Sequence, residues 1–139
     1  MYQLVYVSSA AVPFDSQSLA ELLQEARENN HKDDVTGMLL YHDGNFFQVL
    51  EGPEDNVRRV YDRVAKDDRH QGVTTIYEEE ADERAFSDWS MAWCEVSDRT
   101  LRDIPGFSDL MLRRNPDDSF GPDPQTVHQM ILTFREHAR

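Results

Sequence analysis

The chain has 139 residues, of which 39% are hydrophobic and 29% are charged, and its formal net charge at pH 7 is −13. This length and composition indicate one globular domain with a sizeable core, and the acidic balance argues against direct binding to nucleic acid or to anionic membranes. No apolar run approaches the roughly 20 residues of a membrane-spanning helix. The chain start lacks the regions of a signal peptide, and the single cysteine, Cys94, fits a reducing compartment, so we expect a cytoplasmic location.

The first part of the chain predicts a strand and a helix. Residues 3–8 read as the strand. The helix begins on the capping-box spacing from Ser18 to Glu21, or one turn earlier at Asp15, and is predicted to end near residues 29–30. Its apolar stripe has the spacing of one helix face and consists of Leu19, Leu22, Leu23 and Ala26.

Two further strands, residues 36–42 and 45–52, are joined by a turn and predict a β-hairpin. Period-2 alternation gives the second strand one face with Phe46, Gln48 and Leu50 and another with Phe47, Val49 and Glu51. An unpaired amide away from water costs roughly 1–3 kcal/mol, so Gln48 either faces solvent or has a specific polar partner. From this stretch alone, a half-exposed edge strand is the simpler interpretation.

The second part of the chain predicts a helix with Pro53 at its first position that closes near residues 66–70. Strands are predicted at residues 73–77 and 89–96. The apolar stripe of the helix is Val57, Val60, Tyr61 and Val64. The order is β-α-β-β-α-β plus one strand, which predicts an α+β fold of the ferredoxin-like type, with both helices on one face of the sheet.

The second face of this sheet also needs a cover, because several strands are apolar on both faces. Residues 97–139 have helical patterning and can supply it. The predicted sheet and its two helices thus occupy residues 1–96, and residues 97–139 are expected to form a helical extension that caps the sheet, without a second independent domain.

Several kinds of site have little support in the sequence. The five histidines show no pair at metal-ligand spacing within one element, and Cys94 lies mid-strand, where a buried, inert thiol is usual. No Gly-x-Ser-x-Gly motif or phosphate-binding glycine loop is present. The acidic run at residues 78–83 is interpreted as a solvated strand end and loop.

A set of polar and aromatic residues remains on strand faces and at helix ends: Tyr6, Asn29, Asn30, Gln48, Trp89 and Met91. Taken singly, each has an ordinary explanation, such as core packing or helix capping. Taken together, they suggest a slot between the two helices, over the sheet. Amides in such a slot could bind the hydrogen-bonding edge of a flat ring system, with an oxidisable phenol close by.

The chain resembles the BLUF family of flavin-binding blue-light sensors over roughly residues 2–96. Five blocks carry the resemblance, in the family's order and spacing: residues 4–9 (LVYVSS), residues 29–30 with 35–41 (NN and VTGMLLY), residues 46–52 (FFQVLEG), residues 67–70 (DDRH) and residues 86–91 (FSDWSM). The fold of that family, a ferredoxin-like sheet with flavin between its two helices, agrees with the plan predicted from patterning.

The resemblance implies roles for two photoactive residues. Tyr6 matches the tyrosine that donates an electron, coupled to proton movement, to the photoexcited flavin. Gln48 matches the glutamine that bridges this tyrosine and the flavin, and whose amide rearranges to give a red-shifted signalling state. An amide has a donor end and an acceptor end of similar shape, so their exchange has little steric cost.

The resemblance also implies further cofactor contacts and a signal relay. Asn30 matches the asparagine that binds the flavin carbonyl and N3 region, and Asn29 a more variable neighbour. Arg69 and His70 match positions near the cofactor, with Asp67 structural, and Trp89 and Met91 match the pair that passes the signal to the sheet. The implied cofactor is FAD, for which FMN or riboflavin could substitute, with its anionic tail held by Arg and Lys near the second helix or left in water.

The resemblance to short members of the family implies an output through a partner protein rather than an enzymatic activity of the chain. The signal would leave through the fifth strand and residues 97–139, and a homo-oligomer is expected by analogy.

Two alternatives remain open. One is a non-photoactive ferredoxin-like interaction module with a packed slot. The other is an enzyme of the acylphosphatase type, which needs an arginine in the loop after the first strand, where residues 8–15 have none.

Overall fold

The computed structural model describes residues 1–12, 14–42 and 44–86, together with the backbone of residues 92–93. Its elements, in chain order, are β1 (Tyr2–Ala10), α1 (Ser16–Lys32), β2 (Thr36–His42), β3 (Asn45–Gly52), α2 (Glu54–Ala65), β4 (His70–Glu80) and β5 (Ala92–Trp93). The predictions for the rest of strand 89–96, for Trp89, Met91 and Cys94, and for residues 97–139 lie outside the described residues.

The five strands form one sheet in the order β4-β1-β3-β2-β5. Strand β1 pairs antiparallel with both β3 and β4, β2 pairs antiparallel with β3, and β5 runs parallel to β2. The predicted hairpin of β2 and β3 has the predicted bounds. The ferredoxin-like βαββαβ order is therefore confirmed, and β3 is the central strand of the sheet.

Helix α1 begins where the earlier of the two predicted starts placed it. Asp15 is the N-cap, its side chain accepts from Ser18 N at 2.7 Å, and the Ser18 hydroxyl completes a capping box. The predicted end near residues 29–30 was wrong, because the helix continues to Lys32. His31 and Lys32 suit the negative end of the helix dipole. After the C-cap Asp33, Asp34 has a φ of 55°, the left-handed conformation that commonly ends a helix.

Helix α2 and strand β4 also differ from the predicted bounds. Pro53 is the N-cap of α2 rather than its first residue: its ψ of 138° is not helical, while its carbonyl accepts from Val57 N at 3.0 Å.

Strand β4 extends beyond residues 73–77 at both ends because its backbone pairs with the whole of β1. The glutamates at residues 78–80 belong to this strand and are exposed, as predicted for a solvated strand end.

The main core lies between the two helices and one face of the sheet. It joins strand residues to Leu22 of α1 and to Val57 and Val60 of α2, so both helices pack on the same face. The strand and connecting residues of this cluster are Tyr2, Leu4, Tyr6, Val35, Leu39, Phe46 and Leu50. Burial of each such side chain contributes on the order of 1.5–3 kcal/mol, so this layer stabilises the packing of the two helices on the sheet.

The opposite face of the sheet is apolar and buried as well. Its buried side chains include Val5, Val7, Met38, Leu40, Phe47 and Val49. The sequence-based expectation that strands apolar on both faces are covered on both faces therefore agrees with the burial of these residues. The prediction that residues 97–139 supply this cover lies outside the described residues.

Candidate functional site

A cleft opens between α1 and α2 above the centre of the sheet. The space between its walls is about 510 Å³, part of it open to solvent. The cleft is lined by Leu22, Glu25, Ala26, Asn29, Asn30, Leu39, Gln48, Val60, Arg63, Val64, Asp67, Arg69 and His70. It coincides with the slot predicted from the sequence.

The walls of the cleft are apolar and come from the inner faces of the two helices. Leu22 and Ala26 lie four residues apart on α1, and Val60 and Val64 lie four residues apart on α2. Residues with this spacing share one helix face. Leu39 of β2 adds apolar surface from the sheet. Two facing apolar walls over a sheet are suited to a flat ring system rather than to a phosphate or a metal ion.

Polar groups converge on the same cleft. Asn30 and Gln48 are only 2% and 5% exposed, yet both line it. The position of Asn30 is fixed by the end of α1, where its carbonyl accepts from Val35 N at 2.9 Å. Asn29 lies beside it, partly exposed. Each carboxamide carries an NH₂ group that donates and a carbonyl oxygen that accepts. Asn29, Asn30 and Gln48 can therefore match alternating donors and acceptors on the edge of a heterocycle.

Gln48 occupies the middle of the sheet and not its edge. Its strand, β3, has β1 on one side and β2 on the other, and Gln48 pairs in register with Tyr6 and with Leu39. The interpretation of this stretch as a half-exposed edge strand was therefore wrong. The order of the strands, which no local pattern encodes, is what places the amide in the interior.

Tyr6 is completely buried next to Gln48 and is not itself a lining residue of the cleft. Its hydroxyl oxygen is the one buried side-chain polar atom without a hydrogen-bond partner in the part of the chain that the structure describes. Burial is the main cause that raises the pKa of this phenol far above its ordinary value, with smaller contributions from Tyr61 and Asp67. The ring of Tyr61 packs edge-on against it at 5.7 Å. The phenol is therefore held neutral and oriented.

An acid–base cluster closes one end of the cleft. The Arg69 guanidinium donates to Asp67 at 2.6–3.1 Å and to Glu25 at 3.2 Å, and Asp67 also accepts from the backbone N–H of Arg69. Hydrogen bonds from Arg69 are the main cause that lowers the pKa of Asp67. The charge of Arg69 is thus already balanced by two carboxylates, which leaves it as an oriented donor rather than a free cation.

His70 lies at the start of β4 and is held on two sides. Its Nδ1 shares a hydrogen bond of 2.9 Å with the hydroxyl of Ser8, and its ring packs on Phe46 with the centroids 4.7 Å apart. Burial is the main cause that lowers the pKa of the imidazole, against the opposing effect of Asp67 and with a further lowering by Arg69. His70 is therefore neutral at pH 7.

The structure brings together five of the residues predicted to contact a cofactor, namely Asn29, Asn30, Gln48, Arg69 and His70, and it puts Tyr6 beside them. Two charged lining residues, Glu25 and Arg63, were missed. A helical projection could have found both, since Glu25 lies four residues before Asn29 and Arg63 lies three after Val60. The predicted relay residues Trp89 and Met91 lie outside the described residues.

The described residues offer neither a metal site nor a membrane-spanning helix. No group of three or more His, Cys, Asp or Glu side chains among residues 1–12, 14–42 and 44–86 could hold a metal ion. Neither of the described helices has the length and hydropathy needed to cross a membrane.

Comparison with known proteins identifies this arrangement. The family model described as BLUF, sensors of blue-light using FAD, matches residues 1–92. The chain belongs to the BLUF family. The predicted resemblance is thus confirmed, and the family is one of blue-light sensors that use FAD.

Curated relatives of this BLUF protein are larger proteins. It is 33% identical over 109 residues to photoactivated adenylate cyclase subunit beta of Euglena gracilis, which covers 78% of this chain and 12% of the relative. It is 34% identical over 83 residues to the blue light- and temperature-regulated antirepressor BluF of Escherichia coli (strain K12), which covers 60% and 21%. The chain thus matches only a small part of the length of these relatives.

Solved structures agree with the fold. The photo-activated state of BlsA matches with a TM-score of 0.77 and 27% identity, covering 95% of this chain and 91% of that one. The dark-state structure of BlrB, a BLUF protein, matches with a TM-score of 0.75 and 25% identity, covering 97% and 95%. A bacterial light-regulated adenylyl cyclase matches with a TM-score of 0.65 and 25% identity, covering 97% of this chain and 35% of that one.

Proposed function

We propose that this BLUF protein is a blue-light photoreceptor that binds flavin in the cleft between α1 and α2. Tyr6 acts in it as the electron and proton donor, and the Gln48 amide acts as the switch. One observation carries the proposal: a fully buried tyrosine, whose hydroxyl has no partner among the described residues, lies directly across from a buried glutamine that lines the cleft.

The residues of the cleft fit a flavin. The ring system is flat and apolar across its face, and its pyrimidine edge alternates carbonyl oxygens with an N–H. The apolar walls of α1 and α2 suit the face, and Asn29, Asn30 and Gln48 offer amide donors and acceptors for the edge. Arg69 and His70 add donors at one end. These five residues would hold the ring.

The expected cofactor form is FAD, by the family description. The lining residues would contact the ring system, which FMN and riboflavin share with FAD, so either of these could take its place. An anionic tail needs a cation in a chain with a net charge of −13. Arg63 lines the cleft and is 46% exposed, although it also pairs with Asp33 at 3.0 Å. It is the residue best placed for that role, since Arg69 is already neutralised.

Bound flavin would supply the absorption of blue light and an excited state that accepts an electron. In the proposed cycle Tyr6 gives up one electron and its hydroxyl proton and then recovers both, so that the protein returns to its original redox state. The raised pKa of Tyr6 keeps the phenol protonated in the dark. The Gln48 amide would rearrange during the cycle, and its exchanged donor and acceptor ends would offer altered hydrogen bonds to a bound flavin and shift its absorption slightly to the red.

The output is proposed to be control of a partner protein. Two relatives are named as a photoactivated adenylate cyclase and as a blue light-regulated antirepressor, so in each case light controls another activity. For this chain we infer that the signal passes through Trp89 and Met91 and through residues 97–139 to a downstream partner, with homo-oligomerisation of the sensor.

The test is an absorption spectrum of the purified, flavin-loaded protein, taken in the dark and directly after blue light. The proposal predicts a structured flavin band that shifts slightly to the red and relaxes back in the dark. Bound flavin without a shift would contradict the Tyr6–Gln48 switch. A protein that stays colourless after loading with flavin would favour the alternative of a non-photoactive interaction module.

A further inference from the structure

Glu51 is a fully buried carboxylate on the face of the sheet opposite the cleft. It lies near the end of β3 and accepts three hydrogen bonds. Oε2 accepts from Gln3 Nε2 at 3.1 Å and from Ala85 N at 2.7 Å, and Oε1 accepts from Phe86 N at 2.9 Å. The mechanism proposed above makes no use of this group, so its burial calls for a separate explanation.

The described donors to Glu51 are an amide side chain and two backbone N–H groups, all of them neutral. A buried charge is costly unless hydrogen bonds compensate it, and bonds to a carboxylate are short and directional. Gln3 pairs directly with Glu51 across β1 and β3, so one of its donors is fixed by the sheet itself. The other two belong to the chain that follows β4. The carboxylate therefore attaches that chain to β3 at a defined position.

A second contact attaches the same piece of chain. Arg84 donates to Oγ1 of Thr36, the first residue of β2, at 3.0 Å and to the carbonyl of Asp34, two residues before the strand, at 2.9 Å. Phe86 is fully buried. Residues 84–86, which we call the anchor segment, are thus fixed against the paired ends of β2 and β3, where Thr36 lies opposite Glu51.

The anchor segment leads directly to the residues predicted to relay the signal. Trp89 and Met91 follow Phe86 by three and five residues. On the other side, Glu51 follows Gln48 by three residues on β3, with Gln48 lining the cleft and Glu51 bonded to the anchor segment on the opposite face. One strand therefore carries both the proposed switch and the attachment point of the segment that is proposed to respond.

We propose that Glu51 is a positioning residue that couples Gln48 to the Trp89 and Met91 segment through the anchor segment. The proposal rests on the function proposed above. The rigid β3 backbone sets the distance between the switch and the attachment point, and the two bonds from Ala85 and Phe86 transfer a displacement of β3 to the following residues. Without the carboxylate, the flavin response and the response of residues 87–93 become independent.

The variant Glu51→Gln tests this with little change of shape. Whichever way its amide turns, the NH₂ group faces either the N–H of Ala85 or the N–H of Phe86, and two donors cannot bond each other. One of the two backbone bonds is lost in either orientation. The matched control is Glu83→Gln, which removes the same charge from an exposed side chain just before the anchor segment.

Three readouts separate coupling from simple stability. The chain has two tryptophans, Trp89 and Trp93, both directly after the anchor segment, so the light-induced change in tryptophan fluorescence reports on that region. The flavin red shift reports on the cleft. Amide hydrogen exchange at Ala85 and Phe86, measured in the dark, reports on the attachment itself and needs no photocycle.

For Glu51→Gln we expect roughly tenfold faster exchange at Ala85 or Phe86, as for the loss of one strong hydrogen bond. We expect a flavin red shift like that of the wild type, and loss of the light-induced tryptophan change. Glu83→Gln should match the wild type in all three. If Glu51→Gln fails to fold, Gln3→Met removes one donor and leaves the carboxylate, and should diminish the tryptophan change in the same direction.

Several outcomes would overturn the proposal. One is a wild-type tryptophan change in Glu51→Gln, or in Gln3→Met where only that variant folds. Another is a wild-type protein whose flavin band shifts while its tryptophan emission does not respond. If no flavin shift occurs even in the wild type, the proposed photoreceptor function fails separately. In that case the exchange rates decide whether Glu51 positions the anchor segment, and unchanged protection at both amides would exclude it.

Discussion

Tyr6 and Gln48 pair directly across β1 and β3 on the helix-facing side of the sheet. Tyr6 is completely buried, and Gln48 is buried while lining the cleft. The pair thus connects the interior of the sheet with a site that is open to a ligand. The proposed mechanism assigns the electron and proton transfer to this phenol and the switch to this amide, and the predictions below test that assignment.

The first prediction concerns the amide of Gln48. Gln48→Leu keeps a side chain of similar size and removes both hydrogen-bonding ends. We expect flavin to bind, the light-induced red shift to disappear, and the free energy of unfolding to change by less than about 1.5 kcal/mol, as for a buried polar-to-apolar exchange of similar shape. Light-minus-dark absorption and urea unfolding measure these effects.

The control for this change is Gln24→Leu, the same substitution on the exposed side of α1. It should retain the wild-type red shift. A normal red shift in Gln48→Leu would exclude the amide as the switch, whatever happens to flavin affinity.

The second prediction concerns the acid–base cluster at the end of the cleft. In Asp67→Asn one acceptor oxygen becomes an NH₂ group that faces the Arg69 guanidinium, so Arg69 loses part of its fixed orientation. We expect flavin affinity to fall severalfold, while stability falls by less than about 1 kcal/mol because the ion pair is partly exposed to solvent. Equilibrium titration with flavin measures the affinity.

Asp68→Asn, at the exposed neighbouring residue, provides the matched control and should bind flavin like the wild type. Equal affinity in Asp67→Asn and the wild type would show that Arg69 needs no support from Asp67.

The third prediction concerns pH. Burial lowers the pKa of His70 in the folded protein, so between that pKa and the ordinary value of about 6.5 the unfolded chain binds more protons than the folded one. Stability from this group is present above about pH 6.5 and is lost as the pH falls through the folded pKa. Urea unfolding near pH 7 and pH 5 should show a smaller loss in His70→Gln than in the wild type, and an equal loss would contradict the assignment.

The fourth prediction concerns the close approach of β2 and β3. A Cβ added at Gly37 would overlap the carbonyl oxygen of Val49, which belongs to the backbone and cannot turn away. Gly37→Ala should therefore destabilise the fold by about 3 kcal/mol, at the upper end for overpacking. In Gly44→Ala, where nothing lies within 4 Å but φ is +81°, the cost should be only about 1 kcal/mol. Equal costs in urea unfolding would contradict the steric argument.

Local signals in the sequence were sufficient for much of the fold. The bounds of β2 and β3 matched because glycine and proline turns mark their ends, at residues 43–44 and 52–53. The start of α1 matched because Asp15 and Ser18 form their capping box within one turn. The family was found in the same way, since its motifs are short and keep their order.

What the sequence could not predict depends on contacts between distant parts of the chain. The stretch around Gln48 gave no sign of its burial by itself, because that burial follows from the central place of β3, and the length of β4 follows from its pairing with β1. Ser8 and His70 are 62 residues apart. The bonds from Ala85 and Phe86 to Glu51 span 34 and 35 residues, so Glu51 was recognised only as one residue on the second face of a strand.

The central claim is that the buried phenol of Tyr6 is required for the photoresponse and not for the fold or for flavin binding. In Tyr6→Phe the ring remains, and the atom removed is a buried hydroxyl without a partner in the described structure, so stability should be unchanged or slightly higher. Tyr61→Phe removes the hydroxyl of the ring packed against Tyr6 and serves as the control.

The decisive measurement is the light-minus-dark absorption difference spectrum of flavin-loaded Tyr6→Phe beside the wild type and Tyr61→Phe. We predict that all three proteins bind flavin, that the wild type and Tyr61→Phe show the red shift, and that Tyr6→Phe shows none. A red shift of normal size and recovery in Tyr6→Phe would contradict the proposed mechanism.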